Sequence, residues 1–210
     1  MASDTTFTCA DLGANSVTLA VADSSGNTSS CVATVTVEDT VSPTVVCQDI
    51  TVQLDSAGMA SITAADVDGG SSDNCTIDSL TVTPSSFDCS NLGANTVTLT
   101  AIDQSGNTAS CTANVTIEDT VAPTAICQNV SVQLDATGQA SITASDVDGG
   151  STDKCSITRL SVSPSSFTCA DLDTNTVVLT VTDQSGNTST CNAIVTVFDT
   201  IPPTAICQDI

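Results

Sequence analysis

The chain has 210 residues and a formal net charge of −22, with no histidine and with Lys154 and Arg159 as its only bases. That balance excludes a nucleic-acid binder, which needs Lys and Arg against phosphate, and a partner of anionic membrane surfaces. Aromatic residues make up 2% of the chain, with no Trp and no Tyr, so apolar bulk comes from Val, Ile, Leu and Ala.

Read from the N-terminus, Met1 leads straight into polar residues, and no apolar run approaches the length of a membrane span. A secreted form of the chain would therefore carry its signal upstream. Residues 1–42 hold Cys9 and Cys31, which fall on a lattice that the rest of the chain repeats. Cys47, Cys75, Cys89 and Cys111 recur 80 residues later as Cys127, Cys155, Cys169 and Cys191. Laid without a gap on residues 123–202, residues 43–122 match at 48 of 80 positions. The expected organisation is the second half of a module at 1–42, whole modules at 43–122 and 123–202, and the first strand of a further module at 203–210, where Cys207 lies. Arrays of this kind supply length and a repeated surface rather than one catalytic centre.

Within a module, period-two alternation predicts strands near 45–54, 59–65, 76–83, 85–89, 95–103 and 108–118. Val52 and Leu54 alternate with Thr51 and Gln53. Val97, Leu99 and Ala101 alternate with Thr98, Thr100 and Ile102, and Ala113, Val115 and Ile117 with Thr112, Asn114 and Thr116. Turns fall at Asp55–Gly58, Asp68–Ser71, Pro84–Ser86, Gly93–Asn95 and Ser105–Asn107. No stretch shows helical spacing. Ser and Thr make up about 30% of the chain, a bias that often marks disorder, but the apolar alternation is too regular for that. Short strands with turns every 8–12 residues read as an all-β sandwich. The linkers at 38–43, 118–123 and 198–203 each end in proline and read as short and stiff.

Each whole module carries four cysteines. With no histidine, no C-x-x-C and spacings of 28, 14 and 22, zinc is the weaker reading. An even, regular set in a small module points to disulfides and to a compartment outside the cytoplasm.

The segment Val97–Cys111, V-T-L-T-A-I-D-Q-S-G-N-T-A-S-C, resembles the signature stretch of hyalin (HYR) repeats. So do Pro43 with Cys47-Gln48-Asp49-Ile50, and Asp73-Asn74-Cys75. The resemblance covers both whole modules and the N-terminal half-module, and the acidic, Thr-rich style is similar to that of large bacterial surface proteins. It implies immunoglobulin-like modules in a linear, disulfide-stapled array and an extracellular role in adhesion or matrix. It supplies no catalytic residues.

Four cysteines allow three pairings. In an immunoglobulin-like sandwich the first and last strands run side by side, which brings Cys47 to Cys111 and Cys127 to Cys191. Cys75 and Cys89 flank a hairpin read at Pro84, which pairs them, and likewise Cys155 with Cys169. A rival pairing joins Cys111 to Cys127 across the linker.

Acidic residues recur as strictly as the cysteines. In the implied topology Glu38 and Asp39 converge with Asp66, Asp68 and Asp103, and Glu118 and Asp119 with Asp146, Asp148 and Asp183. Asp73 and Asp153 also recur. Calcium takes six to eight oxygens, carboxylates among them, and like charges this close repel without a cation. The alternative is that these residues are turn formers, which Asp and Asn are for backbone reasons alone. Sequons at Asn27, Asn74, Asn114, Asn129 and Asn187 are explained mostly by the abundance of Ser and Thr.

The leading functional reading is a non-catalytic structural segment of an extracellular fibre, stalk or biofilm matrix protein, at or beyond the cell surface, with Ca2+ at its module junctions. Its partners would be its own kind, by self-association or by continuation as a long repeat array. The alternative is an adhesin module for a glycan or protein. An enzyme is the weakest reading, since both bases lie in one module and the paired carboxylates sit in turns.

Overall fold

A computed structural model describes residues 1–3 and 5–208. The chain is all-β. A hairpin comes first, β1 (Gly13–Ala22) with β2 (Thr28–Val37). One repeat follows as β3 (Ile50–Gln53), β4 (Met59–Ser61), α1 (Ala64–Val67), β5 (Ile77–Thr83), β6 (Ser86–Asp88), β7 (Gly93–Asp103) and β8 (Thr108–Glu118). The next repeat gives β9 (Val130–Gln133), β10 (Gln139–Ser141), α2 (Ala144–Val147), β11 (Ile157–Ser163), β12 (Ser166–Thr168), β13 (Asp173–Asp183) and β14 (Thr188–Phe198).

The chain divides into two compact units. One comprises Met1–Ile50, Ser61–Ser85 and Ala94–Thr116; the other comprises Thr51–Ala60, Ser86–Gly93 and Ile117–Ile210. The first thus holds the N-terminal hairpin and most of the repeat at 43–122, and the second holds the repeat at 123–202 together with two segments of the preceding one.

The second unit contains a whole immunoglobulin-like sandwich. Its main sheet has the order β11-β13-β14-β9. Antiparallel ladders join β11 to β13 and β13 to β14, and β9 closes the edge in parallel with β14, Val130 opposite Val195. The facing layer is a two-stranded ribbon of β10 and β12 with the α2 turn. Side chains two apart point to one face of a strand, so Val177, Leu179 and Val181 of β13 and Ala193, Val195 and Val197 of β14 all face inward. Leu134, Ile142, Val147 and Phe167 meet them from the other layer. Phe167 is the one aromatic among the buried residues of that core, which is otherwise built from Val, Leu, Ile and Ala.

The first repeat has the same sheet order, β3-β8-β7-β5, with the ribbon β4-β6. Its inward positions Val97, Leu99, Ala101, Ala113, Val115 and Ile117 are buried, as is Phe87. In the first unit the β1–β2 hairpin repeats the β7–β8 pattern as a two-stranded sheet, with no ribbon over it among the described residues. Leu19 is 46% exposed where Leu99, on the same lattice position, is 0%.

Three expectations change. Residues 45–54 form a strand only at Ile50–Gln53, because Thr44 and Cys47 make single bridges to the loop residues Ser72 and Asp68 instead of a ladder. The strand expected at 59–65 stops at Ser61, and the chain then winds into α1. The Thr63 amide and hydroxyl both donate to Asp66 Oδ2, at 2.7 Å, and so start the turn. A four-residue helix is too short to show a 3.6 period; its signature was the Thr63-x-x-Asp66 capping box. Residues 203–208 contain no strand, and the end of that expected strand, Asp209–Ile210, lies outside the described residues.

Candidate cation site and the bridges between repeats

Four disulfides are present: Cys9–Cys75, Cys47–Cys111, Cys89–Cys155 and Cys127–Cys191. The second and fourth tie the start of a repeat to the beginning of its last strand. The first and third tie one repeat to the next. Cys75 is thus not paired with Cys89, nor Cys155 with Cys169, and neither does Cys111 reach Cys127. The reason is topological. β11 pairs with β13 and β12 with β10, so the chain at Pro164 crosses between layers rather than turning a hairpin. The same crossing at Pro84 puts Cys75 ahead of β5 and Cys89 beyond β6, strands of two different sheets. Cys31, Cys169 and Cys207 are unpaired and exposed.

Glycine is required where the Asp55–Gly58 turn meets a bridge. Gly58 has φ +77°, and a Cβ there would stand 3.1 Å from Cys89 Sγ and 3.3 Å from Lys154 Cβ.

Beside each inter-repeat bridge three aspartates meet. In the first unit they are Asp39 from the linker, Asp73 from the loop before β5 and Asp103 at the end of β7; in the second they are Asp119, Asp153 and Asp183. In each set one carboxylate oxygen from each aspartate lies within 4.8 Å of those of the other two. Asp103, Asp119 and Asp183 are 2%, 7% and 1% exposed.

Local hydrogen bonds aim these groups. Asp73 Oδ2 accepts from the amides of Cys75 (2.8 Å) and Thr76 (3.1 Å), and Asp153 Oδ2 from those of Cys155 and Ser156. Asp39 Oδ1 accepts from the Val41 amide and from Asn74 Nδ2. Asp103 Oδ1 accepts from the amides of Ser105 and Asn107. Asn107 Nδ2 donates to Asp103 Oδ2 (2.8 Å) and to the linker carbonyls of Asp39 (3.0 Å) and Val41 (3.3 Å). Asn187 repeats this clip on Asp183, Asp119 and Val121. The Ser-Gly-Asn turn thus shapes the hairpin and also fastens the linker. Burial pushes the Asp103 carboxyl up, but the donors on Asn107, Ser105 and Gly106 outweigh it and hold it below the ordinary value of 3.8.

Two oxygens of the first cluster, Asp39 Oδ2 and Asp73 Oδ1, are buried without a hydrogen-bond partner. Anionic oxygens left so in protein are costly, and a divalent cation would satisfy both and offset the mutual repulsion. The donor set, hard oxygen from three carboxylates, fits Ca2+.

Of the residues singled out in the sequence, Asp39 and Asp103 meet in one cluster and Asp119 and Asp183 in the other. Asp73 and Asp153 join them, although recurrence alone had not placed them in the site. Glu38, Asp66, Asp68, Glu118, Asp146 and Asp148 are not in these clusters. Asp66 and Asp146 cap the helical turns through Thr63 and Thr143. Asp68 and Asp148 accept from the amide and hydroxyl of Ser71 and Ser151. Those hydrogen bonds hold all four carboxyls below their ordinary value. Glu38 and Glu118 instead line shallow clefts beside Gly13 and Gly93.

Tandem immunoglobulin-like sandwiches bridged by disulfides define an all-β repeat protein of extracellular type. Residues 38–117 match the family model of the HYR domain, so this repeat is a hyalin repeat; residues 118–197 are its next copy on the 80-residue lattice. No curated protein sequence matches the chain. Among solved structures it is similar to protocadherin gamma B7 extracellular cadherin domains 1–4, at 12% identity over 91% of this chain and 59% of that one, with a TM-score of 0.40. It is also similar to protocadherin gamma C5 extracellular domains 1–3 (13% identity, 90% and 79% covered, TM-score 0.44). A further similarity is to three immunoglobulin domains of titin in a mutated variant (10%, 88% and 75%, 0.43). No helix among the described residues is long and apolar enough to cross a membrane.

Proposed function

We propose that the chain is a non-catalytic structural segment of an extracellular fibre, stalk or matrix protein, whose successive repeats are locked by a disulfide and a Ca2+ ion. The observation that carries this reading is recurrence. Bridge, aspartate triad and asparagine clip return together after 80 residues, as Cys9–Cys75 with Asp39, Asp73, Asp103 and Asn107, then as Cys89–Cys155 with Asp119, Asp153, Asp183 and Asn187. Conserving a junction in this way serves an array that must hold its spacing. Bound calcium would supply charge compensation and oxygen coordination, and its binding would stabilise the folded state by mass action.

Two experiments test the reading. Calorimetric titration of Ca2+ into the oxidised chain is expected to give two sites, one lost in Asp73→Asn and the other in Asp153→Asn; no binding at millimolar Ca2+ overturns the calcium part. Antibody labelling of native material in the electron microscope is expected to decorate extracellular filaments. Label confined to the cytoplasm overturns the structural part.

A further inference from the structure

We infer that residues 9–191 form a cut-tolerant covalent chain, in which hydrolysis of any single peptide bond leaves the protein in one piece. The four bridges enclose residues 9–75, 47–111, 89–155 and 127–191. Each loop begins before the preceding one ends, because Cys47 precedes Cys75, Cys89 precedes Cys111 and Cys127 precedes Cys155. Every backbone bond from Cys9 to Cys191 therefore lies inside at least one closed loop.

The inter-repeat bridges are what achieve this. Bridges kept within repeats, Cys47–Cys111 and Cys127–Cys191, leave residues 112–126 outside any loop. That stretch contains the linker, where Thr120 and Ala122 are exposed, and exposed connections are where proteases nick a chain. Cys89–Cys155 encloses it. The corresponding linker at 38–43 is enclosed by Cys9–Cys75 in the same way. The arrangement suits a protein that works where proteases are abundant, since its two ends stay joined after a nick. This inference rests on the bridges alone and is independent of the calcium and fibre readings.

The test places a site-specific protease sequence between Thr120 and Val121. Cys31, Cys169 and Cys207 are alkylated to stop exchange, the protein is unfolded in urea, and the linker is cut. Without reductant the cut protein is expected to run as one species, heavier than uncut protein by one water; with reductant it gives two fragments. The Cys89→Ser/Cys155→Ser variant is expected to separate without reductant. Two fragments from the cysteine-intact protein without reductant overturn the inference. If the insertion impairs oxidation, peptic mapping of the unaltered chain decides: Cys9 linked to Cys75 together with Cys89 linked to Cys155 upholds the inference, and Cys89 linked to Cys75 overturns it.

Discussion

Cys89, just past β6 of one repeat, is bonded to Cys155, just before β11 of the next, with their Cα atoms 5.0 Å apart. Because Cys75 takes the same place relative to Cys9, one bridge per repeat is spent on the neighbour rather than on the repeat's own core. On the chain-entropy view, closing a loop of this length is worth about 4 kcal/mol. That contribution reaches repeats whose thin aliphatic cores are marginal alone.

Lys154 and Arg159 make this pairing easy to check, because trypsin can cut the chain only after those two residues. In the Cys127→Ser/Cys191→Ser variant, digested unreduced after alkylation, peptide 155–159 is expected to stay with fragment 1–154 through Cys89, and fragment 160–210 to be released. Mass spectrometry reads the outcome. Peptide 155–159 attached to 160–210 would mean that Cys155 pairs with Cys169.

How far the sequence disclosed this depended on the range of each signal. The strands were legible because Val177, Leu179 and Val181 alternate with outward residues over a whole strand. The acidic site was half legible. Asp39 and Asp103 lie where chain order puts a linker and a hairpin turn, whereas Asp73 reaches them only through the backbone of the Asp73–Thr76 loop. The Cys75–Cys89 expectation failed on one turn. Proline after a β-run reads as a hairpin, yet the ladders show the chain changing layers there, and sequence spacing does not carry layer exchange. Asp66 and Asp68 are turn and cap residues, the reading their residue type favours.

Acid should weaken the fold through those caps. Asp66, Asp68, Asp146 and Asp148 have carboxyls held below 3.8 by hydrogen bonds from Thr63, Ser71, Thr143 and Ser151. The unfolded chain thus takes up protons first as pH falls, and the stabilisation, fully present above the unfolded value, is lost as pH drops through the folded one. Urea midpoints measured with chelator present are expected to decline from about pH 4.5 downward. Asp66→Asn/Asp146→Asn should flatten that decline. An unchanged slope would show that these caps do not set the acid limit.

Asn187→Ala is expected to cost about 2 kcal/mol, because it leaves the Asp183 carboxylate and the linker carbonyls of Asp119 and Val121 without their shared donor. Asn27→Ala serves as the control. Asn27 holds the matching turn through Asp23, and its amide donates to that carboxylate at 2.8 Å, but no linker carbonyl is bound to it among the described residues. Denaturant unfolding of both variants should show the larger loss for Asn187. Equal losses would mean that the clip on the linker adds nothing beyond the turn.

The overlapping bridges also limit how far the chain can be drawn out. Cys9 and Cys191 are 182 residues apart along the backbone, but the shortest covalent path crosses Cys9–Cys75, runs to Cys89, crosses to Cys155, returns to Cys127 and crosses to Cys191, using 42 residue steps. At about 3.5 Å per extended residue, that path reaches roughly 150 Å plus the three bridges, against roughly 640 Å for the unbridged chain. Single-molecule stretching through handles at the two termini should therefore show that stretch at about a quarter of its reduced length when oxidised. Reductant should restore the remainder. A fully unfolded oxidised chain as long as the reduced one would contradict the bridge network, whereas the Cys89→Ser/Cys155→Ser variant, whose shortest path runs through Cys47–Cys111 and uses 44 residue steps, should stay close to the oxidised length.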